Sequence, residues 1–248
     1  MARAPRIVFP GADYHVLSRG NYRKDLFTAD VHGAAFLKTL LLLCQERGWR
    51  LHAYAVMSNH FHLCLRTPQA DLPEGMQWLL STFAARFNRF RGVTGHVFQG
   101  RYKALVIEPG PHLLRVVDYI HLNPVRAEVV SLQRLCAHRL CSYGRFAREQ
   151  DPAPLDGQAW REPNGYAGAQ GWQRYEAHLE DKLAGELAST PAQRRRDHNA
   201  VCRGWCVASE RYREYLLQRM AQKDKKAFLN HSCDDDNPDQ LELFSEEV

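Results

Sequence analysis

The chain has 248 residues, 45% of them hydrophobic and 25% charged, which is the composition of a globular protein and excludes collagen-like, mucin-like and wholly disordered chains. Its net charge of +5 conceals a division: Asp234 to Glu247 holds seven acids and no base, so the residues before it carry 33 basic against 21 acidic side chains, a net +12. Such a body suits a polyanion, whose neutralised phosphates release counterions, with a merely solvated surface as the competing explanation.

The longest apolar stretch, Phe36 to Cys44, is broken by Lys38 and falls short of the roughly 18 residues of a membrane span. Met1 to Gly11 lacks the apolar run of a signal peptide. The expectation is a cytoplasmic, nucleoid-associated protein with no membrane partner. Seven scattered cysteines without a CxxC pair are expected as free, mostly buried thiols. His198, Cys202 and Cys206 recur at four-residue intervals, but the sequence offers no fourth zinc ligand beside them.

Along the chain, Tyr14 to Ser18 alternates as a strand and ends in a turn at Arg19-Gly20-Asn21. Asp30 to Gly48 carries apolar residues at helical spacing with a glycine stop. Trp49 to Arg66 predicts two adjacent strands with a turn at Ser58-Asn59. Pro73 to Arg91 returns to helical period, with Met76, Leu79, Leu80 and Phe83 inward and Arg86, Arg89 and Arg91 outward. Val97 to Glu108 predicts one strand or a bent pair, and a helix opens at Pro111 and runs to Asn123-Pro124. The order β-α-β-β-α-β-α defines an α+β layer with helices on a mainly antiparallel sheet. A domain over 1–148 is predicted, then an irregular arm and helical C-terminal extension over 149–230, then an acidic, disordered tail over 231–248.

Two constellations can carry chemistry. In His60-Phe61-His62 the strand period puts both imidazoles on one face, roughly 6.5–7 Å apart, where they can share a metal ion. Two hydrogen-bonded histidines on a polar strand face are the plainer explanation. Tyr119 and Asn123 lie four apart on one helical face, a spacing that suits a nucleophile beside a metal ligand. A Tyr with its ring in the core and an Asn ending the helix would explain that pair as well.

His60-Phe61-His62 preceded by Met57 and Asn59, with the run from Tyr119 through Asn123-Pro124 to Arg126-Ala127, resembles the REP-associated tyrosine transposases, relatives of the single-tyrosine HUH transposases of small insertion sequences. Tyr14-His15-Val16 to Arg19-Gly20-Asn21 and Phe98-Gln99-Gly100-Arg101-Tyr102 are similar to further blocks of that family, in order, from about Pro10 to about Ala127. Ser58 departs from the proline that many members carry there, which alters the turn and not the ligands.

The resemblance implies a ferredoxin-like HUH-nuclease domain. It further implies Tyr119 as nucleophile and Mg²⁺ or Mn²⁺ held by His60, His62 and Asn123; the mixed ligand set suits Mn²⁺ better than Mg²⁺. Attack on DNA would give a 5′-phosphotyrosine and a free 3′-hydroxyl, so that cleavage and strand transfer are one reversible chemistry. The implied substrate is single-stranded DNA with an imperfect hairpin, a repetitive extragenic palindrome, and a short guide tetranucleotide. Tyr102 and Tyr54 compete for the nucleophile's role, but neither has an amide four residues on in a helix.

Residues expected to hold the strand are Arg19, Asn21, Arg23, Lys24, Asn59, Arg86, Arg89, Arg91, Gln99, Arg101 and Lys103, with Phe98, Tyr102 and Trp78 stacking on unpaired bases. For the C-terminal extension a phosphate contact by Arg194-Arg195-Arg196 competes with simple packing, and the acidic tail serves solubility. The extension favours a monomer over a dimer. Two other functions compete: a non-cleaving hairpin DNA- or RNA-binding protein on the same fold, and a hydrolase of small phosphate esters in which Tyr119 is only structural.

Overall fold

The computed structural model describes residues 7–27, 30–148 and 153–231, the side chains of 30 and 222–231 excepted. The acidic run from Asp234 and Cys233 lie outside these residues. The chain divides into two compact units, Met1–Val207 and Ala208–Val248.

In the first unit the strands are β1 (Ala12–Arg19), β2 (Arg50–Val56), β3 (His60–Thr67), β4 (Lys103–Ile107) and β5 (Cys206–Val207). The helices are α1 (Asp30–Arg47), α2 (Leu72–Arg91), α3 (Pro111–Arg126), the short α4 (Tyr143–Ala147) and α5 (Gln158–Arg161), α6 (Gly171–Ala188) and α7 (Pro191–Cys202). The sheet order is β2-β3-β1-β4-β5, antiparallel except for β4 with β5. This is the α+β architecture that the sequence predicts.

Strand alternation divides the core between the two faces of the sheet. On one face Phe61 packs against Phe36 of α1 (4.7 Å between ring centroids), and Phe83 of α2 closes the cluster. Gly75 lets α2 approach the start of β2, since a Cβ there would lie 2.4 Å from the Trp49 ring. On the other face lies α3, buried from Val116 to Pro124. The buried carboxylate of Asp13 on β1 fastens this layer edgewise, bonded to His52 (2.9 Å) and, through two bonds, to Arg66 (2.9 and 2.7 Å).

Three local expectations are corrected. The segment 97–108 is a strand only from Lys103; before it, Phe98 makes a single bridge to Gly20. Helix α3 continues past Pro124 to Arg126, because so near the helix end the proline forfeits one hydrogen bond and the next turn still closes through Ala127 N–H donating to the Asn123 carbonyl (3.1 Å). The C-terminal helical stretch is interrupted by β5, where Val106 N–H donates to the Trp205 carbonyl and Glu108 N–H to that of Val207.

Helix α6 is clamped to α3 by Asp118, which is buried and accepts from His178 (2.8 Å) and Lys182 (2.7 Å). His121 is buried between the Tyr175 hydroxyl and Ser142 Oγ. The second unit contains helix α8 (Glu210–His231), entered through Ser209, whose Oγ accepts from the N–H of Tyr212. Among the described residues no helix is long and apolar enough to cross a membrane.

Candidate active site

The register of the central strands builds the site. Leu17 lies opposite His62 and Arg19 opposite His60, so His15, Leu17 and Arg19 share the face of the two histidines, the face covered by α3. The His60 and His62 rings are 5.1 Å apart, and the Tyr119 ring is 5.4 Å from that of His62 and 6.0 Å from that of His15. The Asn123 side chain lies near enough to both His60 and Tyr119 to act on their protonation, opposing the effect of burial in each. The fold therefore brings together His60, His62, Tyr119 and Asn123.

Hydrogen bonds fix the tautomers of the histidines. His15 Nδ1 lies 2.7 Å from the Val201 carbonyl, which can only accept, so Nδ1 carries the proton. Burial pushes the pKa of His15 down to about 4 and keeps it neutral, so its Nε2 is an acceptor and takes the Nδ1–H of His62 at 2.9 Å. Burial, with His15 and His60 alongside, holds His62 well below the usual range too, leaving its Nε2 as a bare lone pair. His60 Nδ1 donates to Asn59 Oδ1 (2.8 Å), and burial together with Arg19 pushes it down to about 4, so its free nitrogen is again Nε2. Two neutral imidazole nitrogens and the amide oxygen of Asn123 are a donor set that fits a divalent cation with positions left open.

The Tyr119 hydroxyl is 2.9 Å from His198 Nδ1 on α7. Burial, reinforced by Cys202, raises its pKa above the usual 10, while Arg126, 5.1 Å over the ring, opposes that shift. Arg126 is itself held by Glu186 on α6 (2.7 and 2.5 Å) and donates to the Tyr119 carbonyl. His15 and Glu186 were not visible as site residues, and His198 and Cys202 were legible only as a four-residue spacing with no link to Tyr119. Only the strand alternation of β1 with β3 could have signalled His15, and the others come from helices 67 to 83 positions beyond Tyr119.

The expected strand-holding residues divide. Arg19 is exposed opposite His60, Gln99 N–H donates to the Arg19 carbonyl, Asn59 Nδ2 reaches the Arg23 carbonyl, and Lys103 lies opposite Leu17 on the face of His62. Asn21, Arg23 and Lys24 form or follow the turn after β1, and Arg101 is exposed just before β4. Arg86, Arg89 and Arg91 are on α2, across the sheet, where Arg86 donates to Thr39 of α1. Phe98 and Tyr102 are corrected from stacking residues to core, at 9% and 7% exposure, with Phe98 against Phe61 and Phe83. Trp78 is exposed but on α2, whereas Tyr22, 82% exposed in the turn after β1, stands at the histidine end of the sheet.

These features define a class: an α+β domain whose central strands present paired histidines to a tyrosine on a covering helix. Residues 9–123 match the family model for IS200-like transposases. Among solved structures, a REP-associated tyrosine transposase bound to a REP hairpin shares the fold, with TM-score 0.50 and 20% identity over 64% of this chain and 93% of that one. A crystal structure assigned as a transposase of Deinococcus radiodurans R1 aligns with TM-score 0.35 and 18% identity over 60% of this chain and 98% of that one. No curated protein matches the chain.

Proposed function

We propose that the protein is a metal-dependent endonuclease and strand transferase for single-stranded DNA at palindromic hairpins of the REP type. The observation that carries this reading is the meeting of Tyr119 and Asn123 with the two lone-pair nitrogens of His60 and His62, in a domain of IS200-like transposase sequence. His60, His62 and Asn123 would hold Mn²⁺ or Mg²⁺, which supplies charge stabilisation at the phosphate. The Tyr119 oxygen forms the bond to phosphorus as the bond to the 3′ oxygen breaks, giving a 5′-phosphotyrosine and a 3′-hydroxyl. His198 Nδ1, already at the phenol, is placed to take its proton. Arg19, Asn21, Arg23, Lys24, Asn59, Gln99, Arg101 and Lys103 lie at or near the histidine end of the sheet to receive the strand, and Tyr22 offers a face for an unpaired base.

The buried hydroxyl of Tyr119, itself 9% exposed, favours a second reading: a hairpin-binding protein that does not cleave. The deciding experiment incubates the full chain with labelled single-stranded hairpin oligonucleotides from the palindromes around its own gene, with Mn²⁺ or Mg²⁺, and resolves the products on a denaturing gel. A covalent adduct lost in Tyr119→Phe and on chelation is expected. Tight hairpin binding without an adduct would replace the first reading by the second.

A further inference from the structure

The spacing of His198, Cys202 and Cys206 suggests a metal site that the sequence cannot complete, and the fold completes it from an unforeseen direction. Cys202, the last residue of α7, is packed against His15 of β1 and His62 of β3. One ligand atom from each of the three lies within 4.8 Å of the others, and all three residues are buried, at 0%, 3% and 5% exposure. His15 Nε2 and His62 Nδ1 are already 2.9 Å apart. Cys206 belongs to β5 and takes no part.

We propose that His15, His62 and Cys202 form a binding site for a thiophilic divalent cation of the Zn²⁺ class, which shares His62 with the cation of His60, His62 and Asn123 and differs from it in its other donors. Two imidazoles and a thiolate are a borderline-soft set that selects Zn²⁺ over Mg²⁺ or Mn²⁺. Metal–ligand bonds of about 2.0–2.3 Å leave tetrahedral ligand atoms under 4 Å apart, so the cluster needs only small side-chain rotations to close around an ion. Three protein ligands leave a fourth position open.

Binding is balanced in protons. The Cys202 thiol gives up its proton to solvent as sulfur binds the metal. His15 offers Nε2, which is already a lone pair, and His62, binding through the Nδ1 that faces His15, moves its proton to Nε2. A His62 protonated on Nε2 cannot serve a second cation beside His60. The two cations thus exclude each other through the tautomer of one ring, and the soft one also fixes the end of α7 with His198 lying on Tyr119. This exclusion rests on the reading of His60, His62 and Asn123 given above; the binding itself does not.

The test uses Co²⁺ as a coloured stand-in for Zn²⁺, titrated into the reduced full chain without DNA. A thiolate-to-cobalt charge-transfer band is expected, displaced by stoichiometric Zn²⁺, lost in Cys202→Ser, and retained in Cys206→Ser and Asn123→Ala. An absent band in the wild type, or an unchanged one in Cys202→Ser, overturns the site. His15→Gln keeps every thiol and is expected to lose Zn²⁺ affinity, so unaltered affinity there overturns the site even if Cys202→Ser does not fold. Because the band needs neither DNA nor Tyr119, its failure is separate from a failure to form the covalent adduct.

Discussion

His198 reaches the Tyr119 hydroxyl from 79 positions away in the sequence, and its protonation state decides whether it can accept the phenol's proton. Burial, and then Arg203, Arg126 and Arg19, holds its pKa below the usual 6.5, so it stays neutral through the physiological range and becomes charged only in more acid solution. Adduct formation should therefore hold steady as pH falls to about 6.5 and decline below it. In His198→Ala that acid limb should disappear, and the rate at neutral pH should fall about 100-fold or more. A pH–rate profile of the two proteins checks both. Of this constellation, the sequence made legible what is local: the period of two that pairs His60 with His62, and the four-residue step from Tyr119 to Asn123. The approach of His15, His198 and Cys202 to the site stayed hidden because it depends on strand register and on a helix docking across the sheet, which no short window encodes.

Two buried carboxylates, Asp13 in the sheet and Asp118 between helices, add to the apolar packing around the site. Asp118 joins α3 and α6: burial alone would raise its pKa, but bonds to His178 and Lys182 outweigh this and hold it below the usual carboxylate range. Asp118→Asn keeps the shape and removes the charge, so it should cost about 2 kcal/mol in urea unfolding and loosen α6 before the sheet. The α2 and α3 boundaries were close to legible, since proline in the first turn and apolar periodicity mark each start. Strand β5 was not: two residues between helices carry no period, and Cys206-Val207 is a strand only because β4 leaves an edge beside it.

For the whole molecule, acid is the sensitive variable. His121, with its pKa pushed down to about 3, and His15, at about 4, are buried neutral, whereas in the unfolded chain both bind protons from about pH 6.5 downward. The unfolded state thus gains protons first, and stability is lost as pH falls from about 6.5 toward 4. Below that window Asp13 and Asp118, both held below their usual values once hydrogen bonds outweigh burial, must protonate as well, and the loss steepens. Thermal unfolding midpoints measured from pH 7 to pH 4 should fall throughout; a flat profile would contradict the buried, neutral state of these rings. The excess of base over acid before residue 234 was legible from counting, whereas the division at Val207 was not, because it follows from where α6, α7 and β5 rejoin the first sheet.

The two residues of β5 do more than extend that sheet. Without them and Trp205 just before them, Val106 and Glu108 would turn unanswered N–H groups outward from the β4 edge, the kind of open margin that invites a second copy of the same chain to lie alongside. The segment that returns to cover the tyrosine thus also closes the sheet's exposed flank, and a shortened chain would trade one guarded molecule for a self-adhesive one.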